Sequence, residues 1–80
     1  MKSTYKICHN WKHVQGHIAT SEFKNKVESE SEENAIIKFK EENPELGQYI
    51  KKDDVFNYWY YGTRSLFQAK EDNIVYAIKI

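Results

Sequence analysis

Cys8 is the only cysteine in the chain, so no internal disulfide can form, although small secreted domains usually rely on several. No apolar stretch that would serve as a signal peptide follows Met1-Lys2-Ser3-Thr4-Tyr5-Lys6. Nor does any run approach the roughly 20 apolar residues of a membrane span. The cytoplasm is the expected compartment. One proline and three glycines leave no Pro/Gly/Ser-rich linker, and the chain has no internal repeat or low-complexity tract. Residues 1–80 therefore read as a single small domain. Net charge is missing too: twelve basic and twelve acidic side chains cancel. That balance argues against general nucleic-acid binding, whose affinity comes mainly from neutralised phosphates. There is no glycine-rich phosphate loop, nucleophile elbow or zinc-protease helix. Catalysis is not expected, and no cofactor is implied.

What the chain does have is aromatic rings and an uneven charge pattern. Four Phe, six Tyr and two Trp supply much of the available apolar area. They are more than a thin core of this size readily hides, so several Tyr are expected on the surface, where an amphipathic ring suits contact with a partner. Met1 to Lys26 carries a charge balance of +4, Val27 to Glu45 one of −5, and the remainder one of +1. Such polarity can orient a partner that bears a basic patch, or it can simply solvate one helix face.

Local patterns predict the order β, β, α, β, β, β. Thr4 to Cys8 reads as a strand, His9 to Gly16 as a polar turn, and Ile18 to Glu28 as a second strand with Phe23, Asn25 and Val27 on one side. Ser29 with Glu32 fits a capping box, and Ser31 is a second candidate cap. Glu30, Glu32 and Glu33 suit the positive end of the helix dipole, while Ala35, Ile36 and Phe39 form its apolar stripe. Asn43-Pro44 ends the helix. Gly47 to Asp54 is a connection of undetermined form. Val55 to Tyr61 reads as a strand, with Val55, Trp59 and Tyr61 opposed to Phe56, Tyr58 and Tyr60. Arg64 to Lys70 and Ile74 to Ile80 read as a terminal hairpin in which Ile74, Tyr76, Ile78 and Ile80 form the buried face. The predicted class is α+β: an antiparallel sheet of four to five strands with one helix packed across it.

Three features invite a chemical reading. His9, His13 and His17 fall at helical spacing beside Cys8, a pattern that would hold zinc on a continuous helix. Gly16 and the flanking strand character break that geometry, so exposed loop histidines are expected and no metal is assigned. Cys8 is expected to be a buried structural thiol, and Asp53-Asp54 a solvated pair in a charged turn. The segment Phe56-Asn57-Tyr58-Trp59-Tyr60-Tyr61-Gly62-Thr63-Arg64 is the most distinctive. One face of such a strand can enter the core, and the other must meet a second layer or stay exposed as a binding hot spot. Tyr58, Trp59, Tyr60, Tyr61, Thr63 and Arg64 are the expected partner-binding residues. The same aromatics could stack unpaired bases in a small single-stranded nucleic-acid-binding module, although the basic glycine-aromatic motif of sheet-based RNA binders is missing.

Four patches also resemble a known family. They are Thr4-Tyr5-Lys6-Ile7 followed by Asn10, Ser31-Glu32-Glu33-Asn34-Ala35-Ile36, Pro44 followed by Asp53-Asp54, and Trp59-Tyr60-Tyr61-Gly62-Thr63-Arg64-Ser65. Their order and spacing resemble the small phage-encoded anti-CRISPR proteins that inhibit type II-C CRISPR effector nucleases by covering the HNH domain. The resemblance implies a phage or mobile-element inhibitor acting in the host cytoplasm, with a bacterial defence nuclease as partner and steric occlusion as its mechanism.

Overall fold

The computed structural model describes residues 1–12, 18–62 and 73–80, with side chains for 1–10, 20–62 and 73–80. Within these residues the chain forms β1 (Ser3–Lys12), β2 (Ile18–Glu22), β3 (Val27–Ser29), α1 (Glu32–Glu42), α2 (Pro44–Gly47), β4 (Ile50–Lys52), β5 (Trp59–Tyr61) and β6 (Ile74–Lys79). The strands make one antiparallel sheet in the order β2-β1-β6-β5-β4, with β3 following β2 along the same edge of β1. Helix α1 lies over β3, β1 and β6. The expected α+β class is the observed one.

The first strand runs further than its sequence suggests. His9 to Lys12, read as the start of a polar turn, extend β1 because Ile18 to Glu22 pair with one of its edges while β6 pairs with the other as far as His9. Pairing on both sides satisfies backbone groups that local propensity would have left to a turn. The expected single strand from Ile18 to Glu28 is instead divided. Cys8 faces Glu22 and Tyr5 faces Val27, so two extra residues are accommodated between β2 and β3. An insertion of two preserves the face on which side chains point. Phe23, whose N–H donates to the Ile7 carbonyl, therefore stays on the same side as Val27.

Of the two cap candidates, Ser31 is the N-cap: its hydroxyl accepts from the Asn34 N–H, whereas Ser29 is buried at the end of β3. Asn43 closes α1 with backbone and side-chain N–H groups both donating to the Phe39 carbonyl. Pro44 then begins α2, at a position where its missing N–H costs nothing.

The core lies between α1 and one face of the sheet. Ala35, Ile36 and Phe39 meet Tyr5, Ile7, Val27, Ile50, Val75 and Ala77, with Phe23, Trp59 and Tyr61 packed around them. The buried side of β6 is thus Val75 and Ala77, not the Ile74, Tyr76, Ile78 and Ile80 set. The small side chains of β6 sit where the helix crosses, and its larger ones point to the opposite face. The expected Arg64 to Lys70 arm lies outside the described residues; Val75 itself pairs with His9 on one side and Trp59 on the other.

The close seat of α2 on α1 depends on Gly47, where a Cβ would come within 2.7 Å of the Lys40 backbone. Gly47→Ala should lower the urea midpoint, with a stability loss of roughly 1–3 kcal/mol, typical of overpacking against backbone. An unchanged midpoint would show that α2 does not need this contact.

Candidate partner-binding surface

The aromatic segment is organised by a β-hairpin. Val55 to Tyr61 is not one strand: only Trp59–Tyr61 is extended, paired with Ile50–Lys52 from the segment whose form the sequence left undetermined. The pairing continues through an Asp53 N–H bond to the Tyr58 carbonyl at 2.8 Å and a Gly62 N–H bond to the Tyr49 carbonyl at 2.7 Å. Asp53 is buried, and one carboxylate oxygen accepts from the N–H groups of both Val55 and Phe56 at 2.9 Å. This is the turn-forming role in which Asp side chains replace backbone partners. It contrasts with the solvated pair expected at Asp53-Asp54. Asn57, at φ 57°, takes the left-handed conformation that reverses the chain and that Asn tolerates better than most residues.

Strand alternation then divides the aromatics between two environments. Trp59 and Tyr61 face α1. Trp59 is partly buried, with the ammonium groups of Lys40 and Lys52 lying 5.0 and 5.7 Å from its ring. Tyr61 packs against His9, Tyr49 and Phe23 at centroid distances of 4.9, 5.6 and 6.3 Å. Burial, reinforced by neighbouring Tyr49, raises the Tyr61 phenol above its ordinary value. Tyr58 and Tyr60 point to the other face, away from the helix. Phe56 stacks on Tyr58 at 6.4 Å and Tyr58 meets Tyr60 edge-on at 6.3 Å, making a continuous aromatic ladder. Thr63 and Arg64 lie outside the described residues.

The ladder borders the side of the sheet opposite α1, where Tyr60, Ile74 and Tyr76 are half-buried. Tyr60 sits across from Ile74 and Lys51, and Tyr76 and Ile78 follow on β6. Ile78 and Ile80 are exposed. Asn10 fixes the neighbouring polar ground, its Oδ1 accepting from the hydroxyls of Thr20 and Tyr76, each at 2.9 Å. Cys8 is buried beneath, and desolvation raises its thiol pKa despite the opposing influence of Lys6. A high-pKa thiol is a poor nucleophile, so Cys8 belongs to the packing. Among the described residues, no group of three or more His, Cys, Asp or Glu side chains is placed to hold a metal. His13 and His17 lie outside them. His9 is half-buried in β1, its Nε2 3.3 Å from the Asn73 side-chain oxygen.

Strand-like alternation hides the exposure of Val55 and Phe56, which are 79% and 75% exposed at the hairpin tip. Only the Asp-Asp and Asn residues around them hint at a turn. On the helix side, a groove of about 300 Å³ runs between the first turn of α1 and β5, lined by Glu32, Glu33, Ile36, Lys52 and Trp59. Glu33 and Lys52 pair with each other there. The groove lies at the small end of the range for ligand sites, about 300–1,000 Å³.

Two measurements follow from this geometry. Trp59→Ala or Tyr61→Ala should cost roughly 2 kcal/mol of stability, less than the ~3–5 kcal/mol of a fully buried aromatic. Tyr60→Ala should leave the melting temperature within a few degrees of native; equal losses on both faces would disprove the division. Burial holds the His9 pKa below its ordinary 6.5, against the opposing Asn73 hydrogen bond. The unfolded chain therefore takes up the proton first, and stability falls as pH drops below 6.5 toward the folded value. His9→Gln should reduce this fall, measured by denaturation at about pH 7 and pH 5, with His13 and His17 common to both proteins. An unchanged slope would remove His9 as its source.

No helix among the described residues is long and apolar enough to cross a membrane. Comparison with protein-family models, with curated proteins and with solved structures gives no match for this chain.

Proposed function

We propose that this protein is a binding module that occludes a macromolecular partner through the sheet face opposite α1 and has no chemistry of its own. The single observation that supports this reading most strongly is the Phe56–Tyr58–Tyr60 ladder on the face away from α1, continuous with Ile74, Tyr76 and Ile78. Rigid aromatic rings on a strand lose little conformational entropy on contact, which is why Tyr and Trp are common in binding hot spots. The acidic first turn of α1, with Glu32 and Glu33 exposed, offers a secondary contact for basic groups.

The resemblance to small anti-CRISPR proteins gives the partner class: the HNH domain of a type II-C CRISPR nuclease, met in the cytoplasm of a host cell by a phage-encoded inhibitor. Occlusion needs only a standard interface of roughly 800 Å² on each partner. Tyr58 and Tyr60 are central to the proposed contact, with Thr63 and Arg64 following in the sequence. Trp59 and Tyr61 support it from the core side.

The experiment is calorimetric titration of the protein into an isolated type II-C HNH domain, paired with a DNA-cleavage assay of the whole nuclease. A one-to-one complex with Kd below about 1 μM, equivalent to roughly −8 kcal/mol, together with lost cleavage is the expected result. Tyr60→Ala should weaken it at least about tenfold. Neither heat nor inhibition would end the assignment to this partner. A complex with oligothymidylate that fades as salt is raised would favour a single-stranded nucleic-acid binder instead.

A further inference from the structure

The tip of the β4–β5 hairpin exposes more apolar side chain than any other internal turn among the described residues. Val55 and Phe56 are 79% and 75% exposed and adjacent in sequence. Isolated exposed apolar residues are ordinary, but these two are held in place by specific interactions. The buried Asp53 carboxylate accepts from both of their N–H groups. Asp53 N–H and the Tyr58 carbonyl close the loop, and Asn57 adopts the left-handed conformation needed to complete it. Phe56 is braced further by stacking on Tyr58. A buried carboxylate and an uncommon backbone conformation thus fix two apolar groups in water, where they add nothing to the core. Conformations of this kind tend to gather where a structure is pre-organised for contact.

We infer that Val55 and Phe56 form an anchor that enters an apolar pocket on a protein partner, rimmed by a cationic group facing Asp54. Asp54 is exposed beside Val55, which supplies the charge complementarity. The same carboxylate disfavours insertion into a lipid surface, where it would be drawn into the interface alongside the two apolar groups. The anchor also continues the Phe56–Tyr58–Tyr60 ladder. One partner can cover the strip and receive the tip together. This inference rests on the proposed protein-binding function and identifies residues within it that carry the affinity.

The test uses the full chain and the type II-C HNH domain as probe. Val55→Ser, Phe56→Ser and the double variant are titrated beside native protein, with circular-dichroism melts of each. Because both side chains are exposed, the melts should match native. The double variant should bind about thirtyfold or more weakly, as loss of a hot spot does, and each single variant should fall between. Asp54→Lys should weaken binding at least about tenfold; unchanged affinity would overturn the cationic rim. Native binding with undiminished affinity in the double variant would overturn the anchor while leaving the binding function standing. No binding by the native chain would overturn the anchor together with the assignment to this partner. Flotation of the native chain with phosphatidylcholine–phosphatidylglycerol vesicles, abolished by the double variant, would replace the protein pocket with a membrane surface.

Discussion

Helix α1 seats the stripe Ala35, Ile36 and Phe39 on Ile7, Val75 and Ala77, and the rest of the structure follows from that contact. Phe39 and Ile7 are fully buried, and Ala35 and Ala77 are small enough for the helix to approach the sheet closely. A domain of this size has little stability to spare, of the order of 5–15 kcal/mol, and no disulfide to add to it. Packing between the helix and one side of the sheet forms the hydrophobic core of the described residues. That arrangement fixes which side chains of every strand are interior. It also determines which aromatics are left on the opposite face.

The β4–β5 hairpin expresses the same constraint at its edge. Trp59 and Tyr61 extend the helix-side core outward, and Lys40 and Lys52 cover the Trp59 ring with their ammonium groups. Tyr58 and Tyr60, one position away in each case, cannot share that core because successive side chains on a strand point to opposite faces. The edge strand β4 is only three residues long and carries Lys51 and Lys52. A short, charged strand is poorly suited to edge-to-edge association.

Polar groups around these elements serve mainly to fix geometry. Asp53 shapes a turn, Asn43 closes a helix, Asn10 positions Tyr76, and His9 fills space beside Tyr61 while meeting Asn73. Burial favours the neutral forms of Cys8, His9 and Tyr61. For Cys8 this disfavours the reactive thiolate, so the thiol serves the packing.

Much of this was legible in the chain itself. The helix, its Ser31 cap and its stop at Pro44 are local features, set by hydrogen bonds within a few residues, and the pattern Ala35-Ile36-Phe39 identifies its buried side. The α+β class follows from one amphipathic helix among short β-rich segments. Alternation separated Tyr60 from Trp59 and Tyr61, but it also put Val55 with that pair, whereas Val55 and Phe56 both lie in the exposed turn before β5. Long-range pairing decided what local reading could not. His9 to Lys12 became strand because β2 lies beside it, and Ile50 to Lys52 became strand because Trp59 to Tyr61 returns alongside. The buried side of β6 was set by where α1 crosses, at Val75 and Ala77, against a hydrophobicity pattern that favours the isoleucines. The sequence by itself determined the helix and the two sides of each strand, because caps and alternation act between near neighbours. Only the tertiary structure decided which side meets the helix, because that depends on where α1 comes to rest.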